Sequence, residues 1–337
     1  MKQFLTKTIL YLLVTVLLSG TLIYLFISQK PEFFLGNAVD YFQCQYQYGQ
    51  INKKTGFTNI IIGDSRGNAS INPRQLGEKW INLSIPGSDL FEGYITLKRY
   101  LQYNKVDTLV MVYGMSYISE YSRWFNLRTI PFQFINYSEL KELEQLERKY
   151  NYLFHNRAAG HATLRYDQFI RKLKYLHAPF SYRETFWDGL HSFCFSQSEA
   201  GIAKQKVITQ LSKYRGYTNF GVADSNITNN INANLRFEPG LINQHYLDQI
   251  MQLAAEHDIA VYLIDPPMNR ASFNSYNKSV YESTIDQFLE ELQKKYPRLC
   301  VLQTDVWLPN TMFGDPLHVN NKGTTWISAE VRDRLSR

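Results

Sequence analysis

The sequence predicts an α/β protein with three layers, α/β/α, around a five-stranded parallel sheet, preceded by one transmembrane helix. Two observations carry this reading. Short continuous apolar runs such as TNIIIG (58–63) and DTLVMVYG (107–114) read as strands buried on both faces, and stretches with a helical apolar rhythm separate them. Ahead of them, no residue from Thr8 to Gln29 carries a charge.

That uncharged run contains TILYLLVTVLLSGTLIYLFI (8–27), which matches the roughly 20 apolar residues needed to cross a hydrocarbon core of about 30 Å. A cleaved signal peptide is the competing reading. Its apolar region would be roughly 7 to 15 residues long and end at a small-x-small site, which is not evident here. Lys2, Lys7 and the amino terminus precede the span, whereas Lys30 is soon balanced by Glu32 and Asp40. The positive-inside tendency then leaves the N-terminus cytoplasmic and the rest of the chain outside. The expected division is an anchor at 1–30, a linker at 31–56 and a domain at 57–337.

Within the domain, TNIIIG is the first strand and WINLSI (80–85) the second, and DLFEGYITLKRYLQY (89–103) is a helix leading to DTLVMVYG. After Gly114 the alternation breaks. A charged helical stretch, SELKELEQLERKYNYLF (138–154), and a polar region, TNFGVADSNITNNINANLRFEPG (218–240), mark an insertion over about 120–240. The rhythm resumes with helix LINQHYLDQIMQLAAEHD (241–258), strand IAVYLIDPP (259–267), helix YESTIDQFLEELQKKY (281–296) and strand LCVLQTD (299–305).

The 337 residues carry 36 basic and 30 acidic side chains, and setting Lys2 and Lys7 aside leaves an excess of four positive charges outside the membrane. No long basic run accompanies that excess, so nucleic acid is not an expected partner, and a solvated surface explains it. Cys44, Cys194 and Cys300 are far apart, show no CxxC spacing and are expected not to pair. His155 and His161 stand six apart without a nearby carboxylate pair, so no metal site is expected, and no cofactor either.

Ligands of open parallel sheets gather at the carboxyl ends of the strands. The first strand ends in GDSRGNAS (63–70), which puts Ser65 at a strand-to-helix turn where unpaired N–H groups converge. Such a serine is an ordinary helix cap or a nucleophile. Far along the chain, FGDPLHVNNKG (313–323) places Asp315 three residues before His318 in a loop after the last strand, ahead of a final helix. Alone, D-x-x-H reads as half a metal site or a surface loop as readily as a catalytic pair. Paired with Ser65, it supplies a base and the carboxylate that orients it.

At these residues the sequence resembles the SGNH/GDSL hydrolase superfamily. GDSR (63–66) matches its first block and DPLHVN (315–320) its last. The resemblance implies a flavodoxin-like sheet, Ser65 as nucleophile, His318 as base and Asp315 as its orienter. It also implies an oxyanion hole from the backbone of Ser65 and of Gly87, in NLSIPGSD (82–89). The family's third block reads G-x-N, whereas this chain has Gly114-Met115-Ser116, so Ser116, Asn82 or Asn269 would have to replace the amide. Arg66 and Asn82 are weaker candidates for substrate contact.

A membrane anchor joined to an outward domain of this kind is similar to bacterial envelope acyltransferases and esterases, which work beside a membrane-bound O-acyltransferase. That likeness implies a single-pass protein of the bacterial cell membrane, transferring an acyl group through Ser65 to an envelope polysaccharide. The alternatives are a carbohydrate esterase with the same triad, or a non-catalytic partner that binds glycan or the acyltransferase.

Overall fold

The computed structural model describes residues 1–30, 33, 38–114, 118, 125–151, 161–176, 186–195, 197–218, 239–272, 275–302 and 307–336. Its architecture is α/β. Helix α1 (Lys2–Gln29) is followed by α2 (Ala38–Ile51), strand β1 (Asn59–Gly63), α3 (Ser65–Ser70), the short α4 (Pro73–Leu76) and β2 (Trp80–Asn82). Helix α5 (Leu90–Tyr100) leads to β3 (Thr108–Val112). A π-helical turn (Phe125–Thr129) then opens a helical region of α6 (Tyr137–Tyr150), α7 (His161–Leu176), α8 (Phe186–Phe195) and α9 (Gln197–Lys213). The chain returns to the sheet through α10 (Leu241–Glu256), β4 (Ala260–Ile264), the two-residue β5 (Met268–Asn269), α11 (Ser275–Lys295), β6 (Leu299–Val301), β7 (Trp307–Leu308) and α12 (Asn321–Leu335).

The five-stranded sheet runs β2-β1-β3-β4-β6 with every neighbouring pair parallel. Alternation along β1 divides the core. Ile60 and Ile62 join the larger cluster with α5 and α10, while Ile61 joins Val110, Val112, Ile264, Ile327 and Val331 beneath α12. The sheet is therefore sandwiched between two helical layers, as continuous Ile/Val runs require. Strand order reverses at β1, with β2 on one side and β3 on the other, which opens a crevice at the carboxyl ends of β1 and β3.

Helix α1 is exposed through its apolar window and is long and apolar enough to cross a membrane. The stretch 31–56, expected as a linker, contains instead the packed helix α2, with Cys44, Gln47 and Ile51 fully buried. Part of the insertion also belongs to the fold rather than standing apart from it. Helix α9 lies against α2, and the turn after α9 runs beside β2, where the Asn82 N–H donates to the Arg215 carbonyl at 2.9 Å. The polar region 219–238 lies outside the described residues. The three thiols are free, Cys44 buried and Cys194 and Cys300 exposed.

Asp89 caps α5 in a capping box with Glu92, and both carboxyls are buried. Burial first, and then the charge of Glu92, raises the Asp89 carboxyl well above its usual range. A raised carboxyl contributes most to stability below its unfolded value of about 3.9 and loses that contribution as pH rises through the folded value. Asp89→Asn retains the cap while removing the titration. Its thermal midpoint relative to the native protein should therefore increase from about pH 5 to about pH 8, a trend readable by circular dichroism.

Candidate active site

The crevice between β1 and β3 is built by Asp64. Its carboxylate caps α3 by accepting from the Arg66 N–H at 2.7 Å and the Gly67 N–H at 3.3 Å. Its second oxygen accepts from the Gly114 N–H at 3.3 Å, tying the end of β3 to the start of α3. Asp64 is fully buried, which makes these charge-assisted bonds the fixed frame of the turn. Ser65 is thereby held as the first residue of α3 at the edge of the sheet.

Opposite it, the loop carrying Asp315 and His318 is pinned from both ends. Phe313 and Val319 bridge in antiparallel fashion and bury their side chains in the core under α12. Asn320 caps α12 by accepting from the Lys322 and Gly323 N–H groups, and its amide donates to the Thr311 and Phe313 carbonyls. The Thr324 hydroxyl donates to the Ala69 carbonyl at 2.8 Å, which fastens α12 to α3. The loop is held against the helix that begins at Ser65 although the two are far apart in sequence.

The outcome is a continuous hydrogen-bonded line. His318 Nε2 lies 2.8 Å from Ser65 Oγ, and His318 Nδ1 lies 2.7 Å from Asp315 Oδ2. Asp315 Oδ1 accepts from the Leu317 N–H at 2.8 Å and the His318 N–H at 2.7 Å. Burial by itself would raise the Asp315 carboxyl. The hydrogen bond and charge of His318, together with those two N–H groups, outweigh burial and hold it below its ordinary value. Asp315 is thus ionised through the neutral range and favours the tautomer with the proton on Nδ1, leaving Nε2 to accept from Ser65. The imidazole retains 16% of its exposure and the Asp315 carboxylate 37%, so the line is open to solvent on one side.

Gly87 belongs to the turn that is bonded to the last residue of β1, two positions before Ser65. It adopts φ +77° in the turn after β2, a conformation that glycine reaches without a steric penalty. The turn is bound to β1, because the Ser88 hydroxyl donates to the Gly63 carbonyl at 2.8 Å and the Ile85 N–H donates to the same oxygen at 2.9 Å. Among the described residues, the N–H groups of Ser65 and Gly87 have no protein acceptor. Unbonded N–H groups at the serine and at this turn are the kind of donor that a developing oxyanion requires.

The other candidates divide. Ser116 lies outside the described residues, as does His155, and nothing is described of the His161 side chain. Asn82 is fully buried, and its amide donates to the Gly67 and Ile71 carbonyls while its oxygen accepts the Ser84 N–H. It supports the turn from below and has no face toward a ligand. Asn269 likewise donates to Asn310 and accepts the Ala271 N–H. Arg66 packs its guanidinium over Gly114, in the space a side chain there would fill, with Asp64 3.5 Å away and 10% of the side chain exposed. Among the described residues no cluster of three or more His, Cys, Asp or Glu could hold a metal ion.

Sequence reasoning missed the supports. Besides Asp64 and Asn320, Asn68 donates to the Ser84 and Gly216 carbonyls and accepts from Gln43 at 2.7 Å, and Gln47 donates to the same Gly216 carbonyl. These amides lock α2, α3 and the turn after α9 together behind Ser65. The Asp preceding a helix-start serine was the available signal for Asp64. A scan of the chain against protein-family models finds no match, and a search of curated proteins finds none either.

Proposed function

We propose that this protein is a membrane-anchored, extracytoplasmic serine acyltransferase that modifies a cell-envelope polysaccharide. The observation that carries the reading is the Asp315–His318–Ser65 line with its 2.7 and 2.8 Å contacts at the strand-order reversal. In the first half-reaction, His318 Nε2 takes the Ser65 proton as Oγ bonds to the acyl carbonyl carbon. The carbonyl oxygen becomes an oxyanion facing the Ser65 and Gly87 N–H groups. The bond to the donor oxygen then breaks, and His318 returns the proton to that leaving oxygen. In the second half, His318 deprotonates a sugar hydroxyl, which attacks the acyl-Ser65 ester; Ser65 Oγ leaves and recovers the proton.

Hydrolysis differs only in using water as the second nucleophile, and the partial exposure of His318 favours keeping an esterase as the second reading. The intact serine–histidine contact favours either enzyme over a non-catalytic binding partner. A membrane-bound O-acyltransferase supplying the acyl group, and a cytoplasmic N-terminus, belong to the same proposal.

Two measurements test it. A phosphatase fused after Arg337 should be active outside the cytoplasm, with the full-length fusion retained in membranes; activity confined to the cytoplasm refutes the orientation. Purified protein given an activated acyl ester together with a polyol acceptor should form the acylated polyol faster than free acid. Free acid alone would establish the esterase reading instead.

A further inference from the structure

Helix α8 presents a face that the catalytic reading does not use. Trp187, His191, Cys194 and Phe195 are exposed and recur at intervals of three and four residues, so they share one side of the helix. Trp187 is 75% exposed and Phe195 is 76% exposed. The helix carries a single charged residue, Asp188, and no Lys or Arg. Large aromatics this exposed on one helix face mark an interaction surface.

The opposite side of α8 identifies that partner. Phe193 meets the ring of Phe26 edge-on at 4.7 Å and that of Phe33 at 5.4 Å. Phe26 belongs to the last turns of α1, where Ile27 is 2% exposed, in contrast to the fully uncovered apolar window before it. At about 1.5 Å per residue, the 28 residues of α1 extend roughly 42 Å, well beyond a hydrocarbon core of roughly 30 Å. The final turns of α1 therefore reach headgroup level, and α8 touches them through the Phe193–Phe26 ring contact. Headgroup level is also where tryptophan, with an apolar ring and a polar N–H, is enriched in membrane proteins.

We infer that the Trp187–Phe195 face of α8 is an interfacial membrane contact, embedded in the boundary layer of the bilayer that α1 crosses. The domain is then fixed against the membrane by a span and a second, in-plane helix, rather than swinging on a tether. A second copy of the chain or a protein partner would cover the face equally well chemically. The Phe193–Phe26 contact between α8 and the end of α1 favours lipid, since the bilayer lies where α1 leaves the domain. The inference rests on the spanning role of α1 in the proposed function and is independent of the catalytic assignment.

The test uses the full-length protein in nanodiscs of phosphatidylcholine brominated on the acyl chains, with tryptophan emission as the readout. The chain has five tryptophans, of which Trp80 and Trp307 are buried in the core. Brominated lipid should quench part of the emission, and Trp187→Phe, a conservative change at an exposed site, should abolish most of that quenching. Adding Phe195→Trp to the Trp187→Phe protein should restore it. Equal quenching in the native and Trp187→Phe proteins, or none in either, overturns the contact. In that case resistance of the protein to alkaline carbonate extraction shows that the span survives the failure. Release by carbonate removes both the span and the contact.

Discussion

Ser65→Ala and His318→Ala should each reduce acyl release from an activated ester by about 10⁶-fold. Asp315→Asn should cost about 10⁴-fold. The difference follows from the geometry. In the proposed mechanism Ser65 and His318 exchange the proton across their 2.8 Å contact, so losing either removes the covalent route. Asp315 touches only Nδ1 and acts by fixing the tautomer, while its other oxygen also holds the loop through the Leu317 and His318 N–H groups. Asparagine preserves one acceptor for those N–H groups and loses the charge. Combining Ser65→Ala with His318→Ala should cost no more than either alone, because the residues act as a unit. Initial rates with a chromogenic ester measure all four proteins. A double variant far slower than the single ones would show that the residues act separately.

Gly63→Ala should destabilise the protein by about 3 kcal/mol or more. Gly63 is the last residue of β1, and a Cβ there would overlap the carbonyl oxygen of Val112, its register partner on β3. That atom is backbone and cannot rotate away, so the strands must part where the crevice forms. Parting them also strains the bonds that the Ile85 N–H and the Ser88 hydroxyl make to the Gly63 carbonyl, and with them the Gly87 turn. Gly49→Ala is the matched control. It lies in α2, where an added Cβ meets nothing within 4 Å, and alanine there should be neutral or stabilising by up to about 1 kcal/mol. Denaturant midpoints of the two variants compare them directly. A Gly63→Ala protein as stable as Gly49→Ala would mean that β1 and β3 are not so closely joined.

The strands were legible because each is a short apolar run whose signal is local, and Ser65, Asp315 and His318 were legible because each lies in a short motif flanked by Gly, Pro or Asn. The packing of α2 was not legible. Its buried face includes Gln43 and Gln47, whose side-chain NH2 groups donate to Asn68, Thr218, Ser84 and Gly216, distant in sequence. A helix that buries amides shows little apolar periodicity, so the segment reads as a linker. Asn82 failed for the same reason in reverse: as a polar residue after a strand it looks available, but the fold consumes its whole amide. The role of Asp64 was hidden because half of it depends on Gly114, the end of a different strand.

The central claim is that Ser65 is a nucleophile activated by His318. Treating the full-length protein with a fluorophosphonate and mapping the modified peptide by mass spectrometry tests it most directly. A single stoichiometric adduct is expected on Ser65 and should be lost in His318→Ala, with the circular dichroism of that variant unchanged. An unmodified Ser65, or equal labelling of Ser65 in the His318→Ala protein, would contradict it.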